Sequence, residues 1–131
     1  PQFLDSLSRV LRRRGFEVRT ASDGLSALTM VAAYAPDVIV LDLKMPGMDG
    51  LDTLREIRRR FADRVVVVLT GHLSDPEALR CRELGAAEVL AKPPDVPALA
   101  DALKRAAVER REARTALERR RLADILERQA D

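Results

Sequence analysis

The chain reads as an α/β protein built on a parallel sheet, and three features of its sequence predict this. Val38-Ile39-Val40-Leu41, Val65 through Leu69 and Val89-Leu90-Ala91 are near-continuous apolar runs, the pattern of strands buried on both faces. Amphipathic helical segments alternate with these runs, so successive strands point the same way. Each run ends on a reactive polar residue: Asp42, Thr70 or Lys92. Parallel strands bring those three groups to one edge, where open α/β sheets bind their ligands. A carboxylate, a hydroxyl and an ammonium together suit phosphoryl chemistry.

The elements follow in order. Phe3, Leu4, Leu7, Val10 and Leu11 recur at helical spacing, and Gly15 is a natural residue just past a helix end. Phe16 to Thr20 alternates with period two and predicts a partly exposed strand. Leu25, Leu28, Val31 and Ala32 mark a second helix that ends before Pro36. Val38 to Leu43 is the next strand, and Met45 to Gly50 is turn chemistry. Leu51, Leu54, Ile57 and Phe61 give a third helix, with Asp49 as its cap. Val65 to Leu69 opens on four valines, which favour strand over helix. Asp75-Pro76 starts a fourth helix and Gly85 closes it. Glu88 to Ala91 is a short strand, and Asp95 caps a last helix beginning near Val96. The expectation is five helices and four strands. A doubly wound sheet normally opens on a strand, and here the chain opens on a helix.

Composition narrows the classes. A chain of 131 residues, 47% hydrophobic and 34% charged, suits one globular domain with a proper core. A net charge of +2 is too small to imply nucleic acid or membrane as a partner. The single cysteine, Cys81, excludes an internal disulfide framework and reads as a small core residue in a reducing compartment. No apolar run spans a bilayer and no signal-peptide pattern opens the chain, which predicts a cytoplasmic location with no membrane partner.

Asp42 within VLDLKMPGMDG, Thr70 within VVVVLTGH and Lys92 within VLAKP resemble the receiver domains of bacterial two-component response regulators. The resemblance covers residues 1–107 and leaves 108–131 as a helical extension. It implies a flavodoxin-like sheet of order 2-1-3-4-5 with the first strand absent from this sequence. It also implies that Asp42 accepts a phosphoryl group from a sensor histidine kinase or phosphotransfer protein, with Lys92 supplying positive charge and Thr70 a hydroxyl donor. Mg²⁺ would contact Asp42 and the backbone carbonyl of Lys44, and Lys92-Pro93 would be a cis peptide. On this reading the chain is a regulatory phosphoacceptor, with any phosphotransfer or dephosphorylation confined to its own Asp42.

Four departures from the family pattern carry consequences. The family's acidic pair, which holds the metal, would lie ahead of Pro1 in a longer parent, and without it Mg²⁺ binding would be weak or lost. Asp5, the nearest acid, falls within the first helix and does not replace it. Val89 stands where the family often has an aromatic residue three positions before the lysine. Lys44 and His72 each lie two residues beyond a site residue and would favour an anion; His72 otherwise reads as a solvent-exposed loop residue. Finally, the last helix outruns the family domain. Leu99, Leu103, Ala106, Ala113 and Leu117 fit a coiled-coil seam, with Arg110 and Arg120 on it, and the stripe shifts to Leu122, Ile125 and Leu126. This predicts a signalling helix that forms a homodimer or leads into an output module. Glu109, Glu112, Glu118, Asp124 and Glu127 argue against direct nucleic-acid contact. The alternative is a degenerate receiver, a phosphorylation-independent interaction or dimerisation module.

Overall fold

The computed structural model describes residues 2–43, 49–74 and 76–130. Helix α1 (Gln2–Arg13) and helix α2 (Gly24–Tyr34) precede strand β1 (Val38–Asp42). Helix α3 (Gly50–Arg60), strand β2 (Val65–Thr70), helix α4 (Pro76–Glu83), strand β3 (Glu88–Ala91) and helix α5 (Val96–Ala130) follow. The three strands form one parallel sheet in the order β1-β2-β3.

β2 shows why a continuous apolar run is needed at the sheet centre. Val66 and Val68 join a core with Leu28 of α2, Leu54 and Ile57 of α3, and Ala78 and Cys81 of α4. Val67 and Leu69 face the other way, onto Leu7 and Leu11 of α1 and Leu99, Ala100 and Leu103 of α5. All four β2 residues are at most 1% exposed. Each contributes roughly 1.5–3 kcal/mol by leaving water. One polar substitution here would unbalance both layers.

Local chemistry ends the helices as expected. Gly15 and Gly85 take positive φ values of 95° and 102° just past α1 and α4, where a side chain would be strained. Asp23 caps α2 by accepting from the Ser26 N–H at 2.8 Å, and Asp49 caps α3 by accepting from the Leu51 N–H at 2.7 Å. Asp95 reaches the Ala98 N–H at 3.4 Å, a weaker cap for α5. Asp75, Lys44 and most of the Met45 to Gly50 turn lie outside the described residues.

Two expectations need correction. Residues 16–20 are not a strand. Their alternation is real, since Phe16 and Val18 pack inward while Glu17 and Arg19 are exposed. A strand, however, is a hydrogen-bonded pair, and among the described residues no neighbouring strand lies beside this segment. It is held instead by Arg12, which donates to the Val18 carbonyl at 3.0 Å, and by Arg19 stacked 4.4 Å over Tyr34. The strands therefore number three among the described residues, where four were expected. The second correction concerns α5. Leu99 and Leu103 are 0% and 4% exposed inside the receiver core, so the first half of the expected seam is intradomain packing.

Candidate functional site

Sheet register brings the three polar strand ends together. Asp42 closes β1 opposite Leu69, so Thr70 stands one residue further along the same edge. Thr70 pairs with Ala91, and the ladder is extended by the Lys92 N–H donating to the Thr70 carbonyl at 2.7 Å. From there the Lys92 ammonium reaches Asp42, with Nζ 2.6 Å from Oδ2. The Asp42 side chain is 13% exposed and that of Lys92 30%. Such a charge-assisted bond between residues 50 apart in sequence is a product of topology alone. The Lys92-Pro93 peptide is cis.

Two neighbours shape this edge. Gly50, at the start of α3, lies against the backbone of Leu43, the residue after Asp42. The Phe3 ring of α1 sits 4.6 Å from Lys92 Nζ, a cation–π contact worth roughly 0.5–1 kcal/mol at an exposed site. Sequence reading placed Phe3 only on an apolar helix face; its position in the first turn, beside the carboxyl edge of the sheet, is the signal that was there to use. His72 is exposed. Val89 is buried in the α2–α3–α4 layer, so no aromatic stands at that position.

A divalent cation asks more of the site than the described residues supply. Mg²⁺ takes six oxygen ligands, several of them waters held beside one or two carboxylates. Asp42 is a suitable hard donor. Among the described residues, however, no group of three or more His, Cys, Asp or Glu side chains converges. The described donors alone do not fit a Mg²⁺ centre, and the expected Lys44 carbonyl lies outside them.

A second charged cluster occupies the opposite edge and escaped the sequence reading. Arg110 of α5 is buried, donating to Asp37 Oδ1 at 2.6 Å and approaching Asp63 Oδ2 at 3.4 Å. Arg111 donates to Asp37 Oδ2 at 2.7 Å, and Arg64 pairs with Asp63. Burial pushes the Asp37 carboxyl upward, but the hydrogen bonds and charges of Arg111 and Arg110 outweigh it and hold it below its ordinary range. Asp63 is likewise lowered, with Arg64 and Arg110 outweighing desolvation.

Among the described residues no helix is long and apolar enough to cross a membrane. Comparison with known proteins gives one consistent answer. A family model described as "Response regulator receiver domain" matches residues 1–104. Response regulator MprA of Mycobacterium leprae (strain TN) is 42% identical over 89 residues, 68% of this chain and 39% of that protein. MprA of Mycobacterium tuberculosis (strain ATCC 25618 / H37Rv) is 40% identical over the same shares. The chain thus spans about two-fifths of the curated relatives it matches. Among solved structures, the receiver domain of NtrX from Brucella abortus is 32% identical with a TM-score of 0.73, covering 79% of this chain and 88% of that one. A CheY-like receiver domain protein from Methanospirillum hungatei JF-1, 22% identical, covers 86% and 90% at a TM-score of 0.79 and speaks for the fold alone. These likenesses bear out the flavodoxin-like class expected from the sequence, together with the long C-terminal helix. The chain belongs to the response regulator receiver domain family.

Proposed function

We propose that Asp42 is the phosphoryl acceptor of this receiver, and that the domain relays the signal by conformational change or dimerisation. The observation that carries this reading is the Lys92–Asp42 contact of 2.6 Å at the edge where Thr70 also ends its strand. A carboxylate is a competent nucleophile, and phosphoryl transfer needs mainly positioning and charge neutralisation. A carboxylate oxygen of Asp42 forms an O–P bond while the P–N bond of a kinase or phosphotransfer-protein phosphohistidine breaks. The imidazole leaves with the electron pair and takes up a proton. Lys92 then transfers its hydrogen bond from the carboxylate to a phosphoryl oxygen, and Thr70 donates to another.

Receiver domains generally bind Mg²⁺, and here Asp42 and the Lys44 carbonyl would be the groups of this sequence to hold it, the ion supplying charge neutralisation. The chain acts as a cytoplasmic regulatory domain whose only chemistry is on itself. Residues 1–107 form the receiver, and 108–131 are its C-terminal extension, serving to engage a second copy or lead into an output module.

The test is intact-mass analysis of the full chain treated with Mg²⁺ and a small-molecule phosphodonor. Wild type is expected to gain one phosphoryl group and Asp42→Asn none. Equal incorporation in both would end the assignment.

A further inference from the structure

We propose that Asp37 and Asp63 form an ionic clamp on Arg110 that fixes the direction in which α5 leaves the sheet, and that opening the clamp frees the helix from residue 108 onward.

The clamp sits where α5 stops being covered. Leu99, Ala100, Ala102 and Leu103 are buried, Ala106 and Ala107 are half-buried, and Arg110 is the last buried residue among those described. From Arg111 through Glu127 every residue is exposed. An apolar side chain at position 110 would only continue the packing of Leu103. A guanidinium instead ties the helix to two separate strands, because Asp37 immediately precedes β1 and Asp63 lies two residues before β2.

The two arms are unequal, and that makes the device releasable. Asp37 holds Arg110 closely at 2.6 Å and takes Arg111 on its other oxygen at 2.7 Å. Asp63 stands off at 3.4 Å and shares its carboxylate with Arg64. Nε of Arg110 and Nε of Arg64 are buried without hydrogen-bond partners among the described residues. A buried charge that loses its main partner is strongly disfavoured. Without Asp37 the guanidinium keeps only the longer contact and has to swing into water to be solvated, taking its helical turn with it. Lysine could not replace it, since a point charge lacks the fork that bridges two carboxylates. The clamped strands are those whose far ends carry Asp42 and Thr70, so the helix exit and the site edge share two rigid connections.

The experiment measures the distance distribution between spin labels at Thr29→Cys on α2 and Glu118→Cys on α5, both exposed positions, in the full chain. Cys81 is buried and stays unlabelled. Asp37→Asn and Arg110→Met, the second of which preserves apolar packing, are each expected to at least double the width of the distribution. Asp124→Asn, on the exposed part of α5, is expected to leave it unchanged. An unaltered distance and width in both clamp variants overturns the proposal. Should Asp37→Asn unfold the sheet, Asp63→Asn removes the weaker arm alone, and the same two outcomes apply.

Discussion

Gly50→Ala is a one-methyl perturbation whose effect can be worked from the geometry. A Cβ at position 50 would stand 2.7 Å from both the Cα and the carbonyl oxygen of Leu43, and 3.0 Å from its Cδ2. Ordinary contact begins at 3.4 Å, so the methyl is about 0.7 Å too close to backbone that cannot rotate away. Leu43 is anchored by its N–H donating to the Leu69 carbonyl at 3.4 Å and follows Asp42 directly. Either the end of β1 or the start of α3 has to give. Overpacking of this kind costs about 1–3 kcal/mol, and the helix-propensity gain of alanine, at most about 1 kcal/mol, offsets only part of it at a first helical position. The expected net loss is about 1–2 kcal/mol, or a fall in melting temperature of roughly 3–10 °C for a chain of this size. Thermal unfolding followed by circular dichroism reads the first quantity, and the rate of phosphate incorporation reads the displacement of Asp42. A variant as stable as wild type would refute the packing argument. A destabilised variant with an unchanged phosphorylation rate would refute its link to the site.

Further outcomes follow from the same contacts. Lys92→Ala is expected to impair both phosphoryl transfer and the downstream response, whereas Thr70→Ala, losing a charge-assisted bond worth roughly 1.5–3 kcal/mol, should spare transfer better than response; phosphotransfer and signalling at wild-type level in Lys92→Ala would remove the lysine from the site. Because the Asp37 carboxyl titrates below its ordinary 3.8, its stabilising effect is complete above that value and is lost as pH falls through the lower, folded-state value. The urea midpoints of wild type and Asp37→Asn should accordingly differ at neutral pH and converge below about pH 4, and a constant gap down to pH 2 would contradict the ion-pair reading. β1 pairs with a strand on one side only among the described residues, so sedimentation of the chain at micromolar concentration should show self-association; a cooperative monomer would show that the edge is satisfied within the chain.

Much of the architecture was legible because it depends on short-range periodicity. The spacing of Leu54 and Ile57 located a buried helix face, and the valines of β2 announced a strand covered on both sides. Asp42, Thr70 and Lys92 were legible for a related reason: each ends an apolar run, and parallel strands end together. What local pattern could not carry was pairing between distant segments. Residues 16–20 have strand periodicity, yet whether a segment becomes a strand depends on a neighbour the pattern does not describe. Arg110 reads as a solvated charge on a polar helix, but its partners lie 73 and 47 residues earlier in the chain. Leu25 fits the apolar side of α2 and is nevertheless 65% exposed, because a helical stripe is wider than the surface it meets.

The position of Arg110 has a mechanical consequence. Twenty residues of continuous helix extend beyond it to Ala130, a rigid arm of roughly 30 Å at 1.5 Å per residue. A tilt of about 10° about the clamped turn would sweep the far end through roughly 5 Å, as much as a full helical pitch. A small change in the direction of α5 where it leaves the sheet would thus arrive at the tip as a displacement of several ångströms. Because the arm is continuous helix, its far end multiplies any change of tilt at the clamped turn in proportion to the arm's length.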